Sequence, residues 1–252
     1  MSILAVENLS KSYSGFQAVK GVTFALRAGE MLALIGPNGA GKSTCFNMID
    51  GQLPPSAGRI CMFGRDVTSA PARHIWRLGV GRTFQIAATF GSMTVAENVQ
   101  VALLSHHRDW RAWRWAARIH AEDARDLLTM VGMENQAERP CGELAYGDVK
   151  RLELAIALAN DPKLLLMDEP AAGMAPTERS ALMALVSRIA RERTIGVLFT
   201  EHDMDAVFGH ADRILVLNRG VLIAEGSPAE IRSNRQVQDV YLGAGSLFGA
   251  PS

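Results

Sequence analysis

Apolar and polar positions along the chain follow patterns that predict both strands and helices. Residues 3–7 and 19–26 alternate between apolar and polar side chains, which is typical of antiparallel strands with one buried face. The apolar run at 31–35 predicts a further strand. The runs at 164–167 and 195–199 predict strands buried on both faces, as in a parallel sheet.

A helical period dominates the middle of the chain, where apolar residues recur at helical spacing from residue 94 to about residue 135. Shorter elements are predicted on either side of this region. They are strands at 59–63 and 80–84, helices at 71–76, 149–159, 176–191 and 204–208, and a hairpin of 214–217 with 221–224.

The length and composition fit an ordinary globular protein with a large core. The 252 residues are 48% hydrophobic and 21% charged, with a formal net charge of zero. We predict one domain, an α/β core at 1–86 and 160–243 interrupted by a helical insertion at 87–159, with a loose tail at 244–252. The balanced charge gives nucleic-acid binding no electrostatic support, so no nucleic-acid partner is expected.

The cysteines and the first residues bear on where the protein works. Cys45, Cys61 and Cys141 have no metal-ligand spacing, which suggests a reducing compartment without disulfides. Residues 1–7 lack the charged and apolar regions of a signal peptide. No apolar run reaches the roughly 18–20 residues of a membrane span. The chain is therefore expected to need a partner in order to act at a membrane.

A glycine-rich motif follows the apolar run at 31–35 and has the pattern of a phosphate-binding P-loop. Its residues are Gly36, Pro37, Asn38, Gly39, Ala40, Gly41, Lys42, Ser43 and Thr44. The glycines allow backbone N–H groups to turn inward at the start of the next helix. Lys42 is expected to bind the β- and γ-phosphates of a nucleotide, and the Ser43 hydroxyl to ligate Mg²⁺.

Two acidic residues, Asp168 and Glu169, come directly after the buried run at 164–167. Acids at the carboxyl end of a parallel strand lie where α/β sheets bind ligands. Phosphoryl transfer to water needs a metal ligand and a group that orients the water. We therefore predict Asp168 on the metal side and Glu169 as the residue that orients or activates water.

A short motif twenty residues earlier resembles the signature loop of the ABC ATPases, which is usually Leu-Ser-Gly-Gly-Gln. It consists of Leu144, Ala145, Tyr146, Gly147 and Asp148, and it precedes the predicted helix at 149–159. The resemblance covers residues 3 to about 243, with its motifs in the family's order. It implies a P-loop NTPase (RecA-like) core with an antiparallel β subdomain and a helical insertion.

The resemblance also implies roles for residues outside these motifs. Tyr13 matches the aromatic residue that stacks on adenine, and residues 171–176 match the D-loop. Gln85 matches the Q-loop residue that contacts Mg²⁺, and His202 matches the switch histidine that contacts the γ-phosphate. In the family, the signature loop caps the ATP of the opposite protomer, so that two copies enclose two nucleotides.

Three residues depart from the family pattern. Ala145 lacks the hydroxyl of the usual serine, and Ala175 stands where the D-loop commonly has an acid or an amide. Asp148 replaces the usual glutamine. Two unit charges about 6 Å apart repel by roughly 3 kcal/mol at an effective dielectric constant of 20. Asp148 is therefore expected to point away from a nucleotide, toward Lys150 or Arg151.

Several stretches resemble the ATP-binding subunits of bacterial branched-chain amino-acid importers. They are residues 81–85, 93–99, 144–147, 169–173, 200–204 and 240–243. This resemblance implies ATP and Mg²⁺ as ligands, two membrane permease subunits, and a second ABC ATPase in a homodimer or heterodimer. It further implies an indirect link to a periplasmic binding protein, and a location on the cytoplasmic face of the inner membrane.

Other interpretations remain open from the sequence. A lipid or lipopolysaccharide exporter ATPase has a cassette of similar size. A soluble regulatory or translation-associated ABC protein usually has two cassettes or a long charged linker in one chain, and neither is present. The aromatic and basic residues 108–115 form either a surface helix docked on its neighbours or a surface for a partner or a membrane.

Overall fold

Two β-sheets, nine α-helices and two short 3-10 helices make up the regular structure of residues 2–83, 89–107 and 120–242, the parts of the chain that the computed structural model describes. The strands are β1 (Ser2–Tyr13), β2 (Phe16–Arg27), β3 (Met31–Ile35), β4 (Ala57–Met62), β5 (Arg65–Asp66), β6 (Val80–Thr83), β7 (Leu164–Asp168), β8 (Gly196–Thr200), β9 (Arg213–Asn218) and β10 (Val221–Gly226). The helices are α1 (Lys42–Ile49), α2 (Ala72–Arg77), α3 (Val95–His107), α4 (Ala121–Met130), α5 (Tyr146–Leu158), α6 (Pro176–Glu192), α7 (Met204–His210), α8 (Pro228–Ser233) and α9 (Arg235–Leu242).

The smaller sheet is antiparallel, with the strand order β2-β1-β4-β5. Its apolar positions, such as Val22, Phe24 and Leu26, alternate with exposed ones, which confirms the predicted one-sided burial. β1 and β2 form a hairpin whose turn is only Ser14 and Gly15, both at positive φ. The two strands are longer than predicted because backbone pairing continues where the side chains are polar.

The larger sheet has the order β10-β9-β3-β8-β7-β6 and is parallel from β9 to β6. The P-loop follows β3, while Asp168 ends β7 beside Thr200, the last residue of β8. The carboxyl ends of these parallel strands therefore share one edge of the sheet, which is where such folds bind ligands.

Apolar clusters cover both faces of the larger sheet, as the uninterrupted apolar runs predicted. Leu32 and Leu34 belong to one cluster with Phe46 of α1, whereas Ala33 and Ile35 belong to the other. All five residues are buried. Because side chains alternate across a strand, both faces of β3 need an apolar partner, and the mixed α/β fold predicted from the sequence is confirmed.

The predicted helical region contains α3, α4 and α5, which pack on one another. α3 begins with a capping arrangement: the Thr94 hydroxyl accepts the Glu97 N–H at 3.1 Å, and the Glu97 carboxylate accepts the Thr94 N–H at 2.8 Å. Asn98 then donates to the Phe90 carbonyl and accepts the Phe90 N–H. These bonds fasten the start of α3 to the segment before it.

The structure differs from the sequence predictions at the start of α5 and in two further helices, α8 and α9. α5 begins at Tyr146, three residues before the predicted start, so most of the signature motif lies in its first turn. α8 and α9 were not predicted. The Ser227–Glu230 capping box with Pro228 at the first helical position is a local signal for α8 that the apolar pattern does not contain.

Three sequence predictions fall outside the described residues: Gln85, the aromatic and basic stretch 108–115, and the tail 244–252. Within the part of the chain that is described, no helix combines the length and the apolar character needed to cross a membrane.

Candidate functional site

The P-loop packs tightly against the β9–β10 hairpin and β2. Gly36 has φ 155°, and a Cβ atom there would meet the Leu217 carbonyl oxygen at 2.1 Å. Gly41 has φ 104°, and a Cβ atom there would meet the Ala18 carbonyl oxygen at 2.6 Å. Both positions therefore require glycine, since a side chain would collide with backbone atoms.

Backbone N–H groups are available at the start of α1. Gly41 is its N-cap and supplies no side-chain acceptor. The N–H groups of Lys42, Ser43 and Thr44 have no acceptor within the helix, because the first turn of any helix leaves its donors unpaired. A Cβ atom at Gly39 would meet nothing within 4 Å, so the loop before these donors is open at that residue. The arrangement suits an anion such as a phosphate group.

Lys42 is held inside the loop rather than in solvent. Its ammonium donates to the Gly36 carbonyl at 2.7 Å and to the Pro37 carbonyl at 3.3 Å, and the residue is only 8% exposed. Burial lowers the pKa of Lys42, and the negative charges of Glu169 and Asp168 offset part of this effect. A cation and two acids thus share the edge of the sheet.

Thr200 joins the two acids, and the sequence analysis did not single it out. Its hydroxyl donates to Asp168 Oδ1 at 2.6 Å and accepts the Glu169 N–H at 3.0 Å. Thr200 is 1% exposed, so these bonds are shielded from water. The signal that could have identified it is its place at the end of β8, opposite Asp168 in the parallel register.

Glu169 and His202 form a close pair. His202 Nε2 lies 2.7 Å from Glu169 Oε1, and about half of the histidine side chain is exposed. Glu169 has φ 52°, a left-handed conformation that costs a residue with a side chain about 1–3 kcal/mol. Such a conformation persists where neighbouring bonds enforce it, and here Thr200 holds the Glu169 N–H.

The oxygen donors beside the loop suit a hard divalent cation such as Mg²⁺. Ser43 offers a hydroxyl at the start of α1, and Asp168 offers a carboxylate oriented by Thr200. Mg²⁺ prefers oxygen ligands and is commonly bound through one or two protein groups together with substrate phosphates. The described residues contain no group of three or more potential ligands among His, Cys, Asp and Glu.

Arg82 fastens the residues before the predicted Q-loop to the P-loop helix. Its guanidinium forms an ion pair with Asp50, which caps the end of α1, and donates to Asn47 Oδ1 at 3.2 Å. Burial lowers the pKa of Arg82, and Asp168 raises it in part. The strand that leads to Gln85 is thus bonded to the helix that carries Lys42.

The signature residues form the start of α5. Ala145 is the N-cap and has no side-chain acceptor to offer. The Tyr146 hydroxyl donates to the Ala172 carbonyl at 3.0 Å, and half of its side chain is exposed. Leu144 precedes the N-cap Ala145, and Gly147 follows Tyr146 in the first turn of α5. Among the described residues, no hydrogen bond or ion pair joins positions 144–148 to positions 36–44.

The prediction that Asp148 turns toward Lys150 or Arg151 is wrong. Asp148 Oδ2 accepts a hydrogen bond from Gln136 Nε2 at 3.0 Å, instead of pairing with Lys150 or Arg151. Lys150 turns to Glu153 at 2.9 Å, one turn further along α5. Gln136 comes from a 3-10 turn close to Asp148 only in space, which the sequence could not indicate.

Tyr13 ends β1 at the hairpin turn, opposite Phe16. It is 45% exposed, and the Lys11 ammonium lies 5.4 Å from the centre of its ring. An exposed, flat aromatic face of this kind can stack on a planar ligand.

Comparison with known proteins decides the family. The ABC transporter family profile matches residues 19–172, which include the P-loop, the signature residues and Glu169. The chain belongs to the ABC transporter family. A second profile, the branched-chain amino acid ATP-binding cassette transporter, matches residues 221–246 of this ABC protein.

Curated relatives of this ABC protein align over nearly its full length. It is 40% identical to the high-affinity branched-chain amino acid transport ATP-binding protein LivG of Salmonella typhimurium, covering 96% of this chain and 98% of the relative. It is 39% identical to the corresponding protein BraF of Pseudomonas aeruginosa, with the same coverage. The probable LivG of Archaeoglobus fulgidus is 35% identical, covering 97% and 96% of the two chains.

Solved structures share the fold. The ADP conformation of an ATP-binding cassette of an ABC transporter has a TM-score of 0.85 and 30% identity, and the alignment covers 96% of this chain and 99% of that one. A nucleotide-free cassette from an ABC transporter has a TM-score of 0.84 with the same identity and coverage. The predicted ABC ATPase fold is therefore confirmed, and this ABC protein is an ATPase coupled to transport.

Proposed function

We propose that this ABC ATPase hydrolyses ATP to power the import of branched-chain or related amino acids. The observation that carries the hydrolytic role is the Glu169–His202 pair, which lies at the sheet edge that also bears Lys42 and Asp168. The cargo rests on relatives named for branched-chain amino acid transport and on the matching profile at residues 221–246.

The P-loop would bind the triphosphate of ATP. The unpaired N–H groups of Lys42, Ser43 and Thr44 are available to an incoming anion, and the Lys42 ammonium adds a full positive charge. Tyr13 would stack on the adenine ring through its exposed face. The rigid packing of Gly36 and Gly41 supports this role, because the donors are held in place before ATP arrives.

Glu169 and His202 would carry the chemistry on the γ-phosphate. Glu169 orients the attacking water and accepts its proton, while His202 donates to a γ-phosphate oxygen. Ser43, Asp168 and the predicted Gln85 would hold Mg²⁺, which when bound neutralises charge on the phosphates. Thr200 orients the Asp168 carboxylate and holds the Glu169 backbone for these roles, through one hydrogen bond to each.

The signature residues 144–148 would act on a second copy or on a related ATPase. The first N–H groups of α5, at Tyr146 and Gly147, have no side-chain cap from Ala145, so they suit an anion brought from another subunit. Asp148 is turned toward Gln136, which keeps its charge away from such an anion. We therefore propose that two ATPase subunits close on two ATP molecules.

A groove between the α/β core and the helical region would receive a membrane permease. It has a volume of about 190 Å³ and is lined by apolar side chains that include Ile75, Trp76 and Ile156, with Arg82 at its polar side. Because Arg82 precedes Gln85 and contacts α1, a permease bound here could sense the nucleotide. We propose two such permeases in the inner membrane, served by a periplasmic binding protein.

Reconstitution tests this function. The ATPase, the permeases and the binding protein encoded beside it are assembled in proteoliposomes, and uptake of labelled leucine is measured with and without ATP. ATP-dependent uptake that disappears with Lys42→Ala supports the proposal. ATP hydrolysis without uptake of leucine or of the ligand that the binding protein retains would rule out this cargo class.

A further inference from the structure

Glu201 is a buried acid to which none of the motifs described above assigns a role. It lies directly before His202 and is only 4% exposed. Its Oε1 accepts the Ala171 N–H at 2.9 Å, and its Oε2 accepts the His202 N–H at 3.2 Å. Both carboxylate oxygens are thus bonded to backbone donors from two separate segments of the chain.

These two segments carry the two members of the Glu169–His202 pair. Ala171 lies two residues after Glu169, and it is itself fully buried. His202 follows Glu201 directly. One carboxylate therefore holds the backbone on both sides of the 2.7 Å contact between Glu169 Oε1 and His202 Nε2.

A carboxylate is the group that this position requires. Both of its partners are N–H donors, so an acceptor is needed at each oxygen. A glutamine side chain would accept from one partner and present its own N–H₂ to the other. The pKa of Glu201 is raised, mainly by burial and further by the charge of Glu169, and the Ala171 and His202 N–H groups and the charge of Arg179 offset part of this effect.

A second connection, made by Arg179, joins the segment after Glu169 to the segment that contains His202. Arg179 of α6 forms an ion pair with Asp203 and donates to the Met174 carbonyl at 3.1 Å. The D-loop segment is therefore attached to the loop after β8 at two places, through Glu201 and through Arg179. Because loss of one connection leaves the other, we expect a Glu201 variant to keep a folded site in which the pair can be displaced.

We propose that Glu201 is a positioning residue that holds Glu169 opposite His202 in the geometry needed for ATP hydrolysis. The proposal rests on the proposed function, in which these two residues act on the γ-phosphate and the attacking water. In this mechanism Glu201 itself would contact neither the γ-phosphate nor the attacking water. Its effect is to fix the backbone from which the two reacting side chains project.

Steady-state hydrolysis by Glu201→Gln tests this role. A displacement of about 1 Å between reacting groups can reduce turnover by about 100-fold. We expect kcat to fall at least about tenfold while KM for ATP stays within about threefold, because the P-loop contacts are unchanged. Glu192→Gln, which alters an exposed acid on α6, is the matched control and should keep the wild-type kcat. Wild-type kcat in folded Glu201→Gln would overturn the proposal.

A double-mutant comparison separates positioning from a general structural effect. In a His202→Ala background the pair no longer exists, so Glu201→Gln should cause little further loss of the residual turnover. An equal loss in both backgrounds would overturn the proposal. If Glu201→Gln does not fold, Glu201→Asp is tested in the same two backgrounds, since it keeps both acceptors but retracts them by one methylene.

Glu169→Gln, measured in parallel, tests the proposed function separately. Wild-type hydrolysis by Glu169→Gln would refute the role of the pair itself. An inactive Glu169→Gln together with a fully active Glu201→Gln would refute only the positioning role of Glu201.

Discussion

Thr200 Oγ1 lies 2.6 Å from Asp168 Oδ1, at the point where β7 and β8 end side by side. The same hydroxyl accepts the N–H of Glu169, the next residue along the chain. One buried side chain thus sets the direction of the acid predicted to bind the metal and the backbone of the acid predicted to orient water. The site depends on a residue that makes no contact with the nucleotide in the proposed mechanism.

Removing the Thr200 hydroxyl should destabilise the protein and slow hydrolysis. Thr200→Val keeps the shape but leaves the half-buried Asp168 Oδ1 without this donor, and the loss of such a hydrogen bond costs about 0.5–1.5 kcal/mol. Thermal unfolding and kcat measure the two effects. Thr200→Ser, which restores the hydroxyl, should recover most of both. If Thr200→Val matches the wild type in both assays, the hydroxyl has no orienting role.

The first glycine of the P-loop should tolerate no side chain. Gly36→Ala places a Cβ atom 2.1 Å from the Leu217 carbonyl oxygen, so the loop or the β9 strand must move. We expect a loss of about 3 kcal/mol or more in the free energy of unfolding, together with weaker ATP binding.

Gly39→Ala is the matched control for Gly36→Ala, because a Cβ atom at Gly39 meets nothing within 4 Å. Gly39 has φ 77°, so alanine there adds only backbone strain of about 1–2 kcal/mol. Denaturant unfolding compares the two variants. Equal destabilisation would show that the close approach of Leu217 does not govern the position.

The three cysteines should differ in reactivity. Cys45 of α1 is fully buried beneath the P-loop, and burial raises its pKa to about 12, so its thiol stays protonated and shielded at about pH 8. Cys141 is also buried, whereas Cys61 is partly exposed. Labelling with iodoacetamide followed by mass spectrometry should modify Cys61 first in the native protein.

Unfolding in urea provides the control for this labelling, since all three cysteines should then react alike.

Because the folded-state pKa of Cys45 is raised, its burial favours the folded state less as the pH rises above the unfolded thiol pKa of about 8.5. Rapid native labelling of Cys45 would mean that α1 does not pack as described.

The sequence predicted the parts of the site that are local in the chain. Gly36–Thr44, Asp168, Glu169 and His202 stand in short motifs whose spacing reflects one loop or one strand end. The buried apolar strands were equally evident, because a short uninterrupted apolar run bounded by polar residues is typical of a strand that is covered on both faces.

Contacts between distant segments could not be predicted in the same way. Thr200 and Glu201 are ordinary polar residues until β8 lies beside β7, and their partners Asp168 and Ala171 are about thirty positions away. The contact between Gln136 and Asp148 could not be predicted for the same reason, because the two residues lie in separate elements. Helix boundaries such as the start of α5 at Tyr146 depend on which backbone donors remain unpaired, and an apolar pattern does not record this.

In the proposed mechanism, Glu169 paired with His202 makes the bound ATP hydrolysable. Glu169→Gln preserves the size of the side chain but removes the base, so ATP should bind with near wild-type affinity while kcat falls by about 100-fold or more. Measuring ATP affinity and single-turnover hydrolysis on the same preparation tests this most directly. Intact binding with lost turnover is the predicted result, and near wild-type hydrolysis by Glu169→Gln would show that Glu169 is not the base.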